Sequence, residues 1–122
     1  MEEENKNVKR YDLEERTFLF AKRVRAFVKK LPKTIANIQD SKQLVDSSGS
    51  VGANYIEANE ALSKKDFLMR VKICRKEAKE SKYWLRLVDT GEDEKLEKER
   101  MDLAQGSGEL TSIFGSIVTK SE

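Results

Sequence analysis

The apolar residues of this chain recur at steps of three and four, the spacing of amphipathic helices, and no segment keeps the alternation of a half-buried strand. The pattern predicts four helices that together form an all-α, up-down-up-down antiparallel four-helix bundle. The predicted core stripes are Leu13, Phe20, Val24, Phe27 and Leu31; Leu44, Ser48, Val51, Tyr55, Ala58 and Leu62; Phe67, Val71, Cys74, Ala78, Ser81, Leu85 and Val88; and Leu96, Leu103, Leu110, Phe114 and Ile117.

Capping and breaking residues set the predicted boundaries of these helices. Pro32 ends the first helix, and Ser63, followed by an acid three residues later, caps the third. Residues 1–10 are expected to be a disordered or frayed N-terminus, followed by a single bundle domain over residues 11–120. The predicted helical spans are Asp12 to about Lys30, Lys33 to about Leu62, Ser63 to about Gly91, and Asp93 to about Thr119.

Small and hydroxyl side chains fill the middle of the second helix, where residues 47–53 read SSGSVGA. Glycine inside a helix costs about 1 kcal/mol relative to alanine, so two of them indicate a neighbouring backbone that leaves no room for side chains. If the second and third helices fold back at the corner before Ser63, residues 47–51 lie opposite residues 74–78. The small residues are therefore predicted to pack against the third helix.

Size and composition fit one small helical domain. The chain has 122 residues, of which 38% are charged, and a core of that size leaves part of the apolar surface for partner subunits to cover. The N-terminus is polar and no apolar run approaches the length of a membrane span, so we expect a cytoplasmic protein without membrane contact. The single cysteine, Cys74, agrees with a reducing compartment and is interpreted as a buried structural thiol.

Histidine is absent from the sequence, which removes the commonest general base and the commonest transition-metal ligand. Glu57 and Glu60, like Glu77 and Glu80, lie one turn apart, as carboxylates do in di-iron bundles. Those sites also need Glu-x-x-His pairs, so exposed carboxylates or a subunit contact explain these residues better. The sequence predicts no enzyme, no cofactor and no metal site.

Basic residues form two helical stripes. Seven lie between Arg16 and Gln39 without a single acid, and nine basic residues face three acids between Lys64 and Arg86. Such stripes are typical of proteins that bind a phosphate backbone. The alternative is a solvated face balanced by the acidic start of the fourth helix. The candidate nucleic-acid-binding residues are Lys22, Arg25, Lys29, Lys72, Arg75, Lys79, Lys82 and Arg86.

Two points limit what these stripes can do. The first and third helices of an up-and-down bundle are diagonal, so the stripes form one surface only if an oligomer joins them. Tyr11 and Tyr83 are the best candidates for stacking on bases, although a core or interface role is favoured for both. Contacts are therefore expected to be mostly to phosphates and of low sequence specificity.

The segment SSGSVGANYIEANEALSKKDFLMRVKICRKEAKESKYWL resembles the small bacterial proteins named after 23S ribosomal RNA intervening sequences, also called S23 ribosomal proteins. The matching motifs are an aliphatic-Asn-aliphatic-Glu-Ala run at Val51–Ala58, Ser-x-x-Asp-Phe at Ser63–Phe67, and the Ala-, Ser- and Glu-rich stretch Glu77–Leu85. The family's Ala-Glu-Gly exit from the second helix reads Glu57-Ala58-Asn59 here. The resemblance implies a homopentameric ring and kinship with accessory proteins of diversity-generating retroelements, which bind nucleic acid and a reverse transcriptase.

Two functions follow from this reading. The leading hypothesis is a non-enzymatic bundle protein, forming a homo-oligomer, that binds the RNA or DNA backbone. The alternative is a protein-protein interaction scaffold, for example an accessory subunit of a reverse transcriptase, without direct nucleic-acid contact.

Overall fold

A computed structural model describes the backbone of residues 2–122 and the side chains of residues 12–122. Four helices make up the described chain, with no strand: α1 (Glu2–Lys29), α2 (Ile35–Asn59), α3 (Lys64–Leu87) and α4 (Glu94–Ser121). The predicted all-α bundle is confirmed. In the described residues no helix is both long and apolar enough to cross a membrane.

The helices run antiparallel to their neighbours in cyclic order. In the hydrogen bonds between α2 and α3, the residue number in α2 decreases as the residue number in α3 increases, which shows that the two helices are antiparallel. The pairs are Asn54 with Arg70, the Val51 carbonyl with Cys74, and Ser47 with Ser81. Helix α1 packs against α2 and α4, and α3 packs against the same two helices. The predicted diagonal placement of α1 and α3 is therefore confirmed.

Several predicted helix ends are wrong. Helix α1 begins at Glu2 rather than near Asp12, because the polar residues before Asp12 include good helix formers and no proline or glycine. The expectation that residues 1–10 form a disordered or frayed N-terminus stays a prediction, because Met1 and the side chains of residues 2–10 lie outside the described residues. Helix α3 ends at Leu87, and Gly91 lies in the following turn with φ +68°.

The second helix is shorter than predicted at both ends. It begins at Ile35 because the Thr34 hydroxyl caps it, accepting from the Asn37 amide at 3.1 Å. It ends at Asn59, so Leu62 falls in the connection and is 100% exposed instead of completing the core stripe. The Ser63 cap of α3 is confirmed, since its hydroxyl accepts from the Asp66 amide at 3.1 Å.

The predicted core stripes are otherwise buried. In α3, the heptad positions from Val71 to Leu85 are all fully buried, and Phe67 is half-buried at the start. In α4, Val118 takes the buried place predicted for Ile117, which packs against the core from its edge. The core also contains hydroxyls: Ser47 and Ser81 are buried and share a hydrogen bond of 2.9 Å.

The small residues at positions 47–53 pack against two neighbouring helices rather than one. Ser47 contacts α3 as predicted, but the two glycines face α1: a Cβ at Gly52 would lie 2.9 Å from Thr17 Oγ1, and one at Gly49 would lie 3.1 Å from Arg25 Nη2. The assignment of the glycines to the α2–α3 contact is wrong. Successive residues turn by about 100° around a helix, so adjacent small residues reach different partners.

One buried side chain ties two connections together at one end of the bundle. Asn37 is 2% exposed, and its amide nitrogen donates to the carbonyls of Pro32 at 2.9 Å and Asp89 at 2.8 Å. Its oxygen accepts from the Asp89 amide at 2.9 Å. The α1–α2 and α3–α4 connections are therefore held by a single amide.

Candidate nucleic-acid interface

Five predicted site residues form one row along α3, which we call the α3 ridge: Lys72, Arg75, Lys79, Lys82 and Arg86. Lys72, Lys79 and Arg86 repeat every seven residues, or two helical turns, so they project from the same side. Arg75 is half-buried and the other four are exposed. The ridge extends over about 21 Å at about 1.5 Å per residue.

The ridge borders a part of α4 that has little side chain. A Cβ at Gly115 would lie 3.7 Å from Arg75 Cδ, and one at Gly108 would lie 3.5 Å from Lys82 Nζ. Between these glycines stand Thr111 and the exposed Ser112, both uncharged. The one carboxylate between the two glycines, Glu109, lines a cavity together with Lys82 but forms its ion pair with Arg16 of α1.

The acids of α4 that follow its first turns lie toward α1. Glu109 accepts from Arg16 at 2.5 Å, and Glu99 accepts from Lys30 at 2.8 Å. Hydrogen bonds from Gln105 and Arg16 hold the pKa of Glu109 below its ordinary value. None of the five ridge cations forms an ion pair within residues 12–122. The α3 ridge therefore keeps its positive charge unneutralised by direct pairing.

One acid stands near the end of the ridge. Glu97 accepts from Arg100 and from the Thr90 hydroxyl, and the bond from Arg100 holds the pKa of Glu97 below its ordinary value. Arg100 also donates to the Arg86 carbonyl at 3.2 Å. Glu97 is thus already engaged by Arg100 rather than by a ridge side chain.

The remaining predicted site residues, Lys22, Arg25 and Lys29, are exposed on α1. Lys22 Nζ lies 5.9 Å from the centre of the Phe18 ring, and Arg25 Nη1 donates to the Ala21 carbonyl at 3.1 Å. Because α1 and α3 are diagonal, a single subunit does not bring these cations into one surface with the α3 ridge.

An apolar groove of about 430 Å³ lies between α1 and α2, beside Lys22 and Arg25, and we call it the α1–α2 groove. Its walls include Phe18 and Ile56, which are 58% and 53% exposed, and the glycines at 49 and 52 contribute to its lining. Periodicity did not reveal this groove, because Phe18 and Ile56 lie off the core stripes. Large exposed apolar side chains that lie together in a groove are a signal of protein contact.

Other candidate groups have structural roles. Burial raises the pKa of the Cys74 thiol to about 12, and Cys74 Sγ donates to the Val51 carbonyl at 3.3 Å. Burial, and after it the neighbouring Glu80, raise the pKa of Glu77. In residues 12–122 no three cysteine, aspartate or glutamate side chains come together as a group able to hold a metal ion.

The two candidate stacking tyrosines have different outcomes. The side chain of Tyr11 lies outside the described residues. The Tyr83 ring is 55% exposed and meets the half-buried Trp84 ring at 79°, with 5.0 Å between centroids. A core role for Tyr83 is therefore wrong, and the interface role that was favoured beside it stays a prediction.

Known proteins resemble this chain both in sequence and in structure. The family model described as 23S rRNA-intervening sequence protein matches residues 9–109. A solved structure from Bacteroides thetaiotaomicron, of a protein of unknown function from the S23 ribosomal protein family, is 29% identical and superposes with a TM-score of 0.75, covering 91% of this chain and 98% of that one. No curated protein matches. Because the family model covers most of the sequence, the chain belongs to the 23S rRNA-intervening sequence protein family.

Proposed function

We propose that this chain is a non-enzymatic nucleic-acid-binding protein that holds the RNA or DNA backbone by electrostatic contact. The observation that carries the proposal is the α3 ridge, five cations in one row without ion pairs within residues 12–122. Cations that neutralise phosphates release bound counterions, which supplies the free energy of non-specific binding. The α1 cations Lys22, Arg25 and Lys29 form a second, separate contact surface.

The size of the ridge predicts a salt dependence. If all five cations contact phosphates of a duplex, log K falls with log salt at a slope of about −4.5, or about 0.9 per phosphate. Raising salt from about 50 to about 200 mM should then weaken binding about 500-fold. A slope near zero would contradict the proposal.

Charge reversal tests the location of the site. The variant Lys72→Glu/Lys79→Glu/Arg86→Glu should abolish binding of a mixed-sequence RNA or DNA duplex, measured by fluorescence anisotropy at low salt. The matched control reverses three exposed lysines that do not belong to the ridge, Lys42, Lys95 and Lys98, with the same change in net charge. Equal loss in both variants would show that overall charge, rather than the ridge, governs binding.

We also propose that the protein works as a homopentameric ring. Large apolar side chains are exposed on several faces, among them Phe18, Ile56, Met69 and Leu87, and partner subunits would cover part of this surface. A ring would place five α3 ridges on one particle and join cations that a single subunit keeps apart. Light scattering should give a mass about five times 14.0 kDa, and a monomeric mass would contradict the ring.

The α1–α2 groove favours a second candidate function, a protein-protein interaction scaffold. Under this candidate the protein acts in the cytoplasm, for example as an accessory subunit of a reverse transcriptase. Its exposed Phe18 and Ile56 suit the apolar face of a partner helix. Under this candidate the ridge reversal should leave partner capture intact, whereas Phe18→Asp should abolish it. The reverse result would favour nucleic-acid binding.

A further inference from the structure

We infer that Tyr83 is a base-stacking residue on the α3 ridge, so that the site prefers single-stranded nucleic acid with unpaired bases. This inference rests on the proposed nucleic-acid binding and adds the class of ligand. A row of cations alone holds phosphates of any strand, whereas an exposed ring among them also offers a surface to a base.

The position of Tyr83 within the ridge supports the inference. Lys79 precedes it by four residues and Arg86 follows it by three, so both cations are its neighbours on the helix surface. Along the helix axis they lie about 6 Å and about 4.5 Å from it. A base on the Tyr83 ring would therefore have a cation on each side for its flanking phosphates.

The ring is also held in a usable orientation. Trp84 packs against the core and meets Tyr83 at 79° with 5.0 Å between centroids. A near-perpendicular contact can cover at most one face of the phenol ring, so Trp84 supports Tyr83 and leaves at least one face for a base. A supported ring loses little side-chain freedom on binding.

Within residues 12–122, the other exposed aromatic side chain is Phe18, which offers a direct comparison. Phe18 is 58% exposed and stands beside Lys22, but it lies on α1, diagonal to the ridge. It also forms a wall of the apolar α1–α2 groove. Phe18 is therefore a matched control: equal exposure, a neighbouring lysine, and a different surface.

The experiment compares a ten-nucleotide oligouridylate with a ten-base-pair mixed-sequence duplex, using anisotropy and the fluorescence of Trp84, the single tryptophan of the chain. The single strand should quench Trp84 in the wild type. Tyr83→Leu should weaken single-strand binding at least about five-fold, because stacking on one base contributes about that factor or more. Duplex binding should change less than about two-fold. Tyr83→Phe should retain single-strand binding, and Phe18→Leu should weaken it less than Tyr83→Leu does, because Phe18 lies beside Lys22 on the separate α1 surface.

Three results would overturn the inference. The first is salt-dependent binding that Tyr83→Leu leaves unchanged, which would spare the proposed function. The second is an equal loss in Phe18→Leu. The third is a lower mass of Tyr83→Leu by light scattering together with an equal loss of single-strand and duplex binding, which would make Tyr83 a subunit contact. Failure of the wild type to bind either probe at low salt would instead remove the proposed function itself.

Discussion

Replacing Gly52 by alanine tests whether the small residues of α2 exist to admit α1. The new Cβ would lie 2.9 Å from Thr17 Oγ1 and 3.3 Å from Thr17 Cβ, distances that require movement. Displacing the Thr17 side chain requires free energy, because it is 1% exposed and its hydroxyl donates to the Glu14 carbonyl at 2.9 Å. Its β-branched side chain also has few alternative rotamers in a helix.

The expected cost combines two opposing terms. Overpacking a close contact costs about 1–3 kcal/mol, while glycine to alanine in a helix gains up to about 1 kcal/mol. We expect Gly52→Ala to lower the free energy of unfolding by about 1 kcal/mol. Gly106→Ala is the matched control, since the nearest atom outside its own stretch of helix would be Phe20 Cδ1, at 4.0 Å from the new Cβ. It should gain about 0.5–1 kcal/mol, so the two variants should differ by about 2 kcal/mol.

Urea unfolding followed by circular dichroism at fixed protein concentration measures this difference. In a double-mutant cycle, Thr17→Ala should make Gly52→Ala less costly, because it removes the oxygen nearest the new methyl group. If Gly52→Ala stabilises the protein as much as Gly106→Ala does, the close contact with α1 does not explain the glycine.

Three further predictions concern single groups. Cys74 should react with a thiol reagent at pH 8 only as fast as the protein unfolds, because it is 0% exposed and burial raises its pKa to about 12; rapid labelling of the native protein would contradict this. Ser63→Ala should cost about 1 kcal/mol by removing the acceptor for the Asp66 amide, whereas Ser63→Asp should cost little; equal unfolding midpoints would refute the cap. Because burial raises the pKa of Glu77 in the folded protein, protonated Glu77 favours the folded state. This stabilisation is complete below the pKa of Glu77 in the unfolded chain and is lost as pH rises through its pKa in the folded protein. The free energy of unfolding of Glu77→Gln should therefore fall less than that of the wild type between about pH 4 and 7.

The heptad of α3 could be read from sequence because each of its residues meets the same core. Steps of four and three from Val71 to Leu85 identify one face, and the corner at Ser63 fixes the register against α2, so the Cys74 contact with Val51 follows. The neighbour of each small residue did not follow from the same reasoning. Gly52 lies one residue from buried Val51 and faces α1, a helix whose register against α2 is not set by the corner at Ser63.

The candidate site was likewise predictable in part. The spacing of Lys72, Lys79 and Arg86 places them on one side of a helix from sequence alone. Whether these cations form ion pairs depends on which neighbour the carboxylates of α4 contact. Glu109, for example, pairs with Arg16, which is 93 residues away in the sequence. Contacts at that separation require the α1–α4 register, which one-helix periodicity does not contain.

The amide of Asn37 makes the two ends of the bundle unequal. At its own end, three hydrogen bonds must break before either connection can swing outward. At the opposite end, Asn59 reaches Glu14 at 3.2 Å, and a cavity of about 530 Å³ opens beside Tyr55 and Phe67. Among the residues whose side chains are described, local opening should therefore begin at that far end, and a molecule that requires access to the interior would enter beside Tyr55 and Phe67.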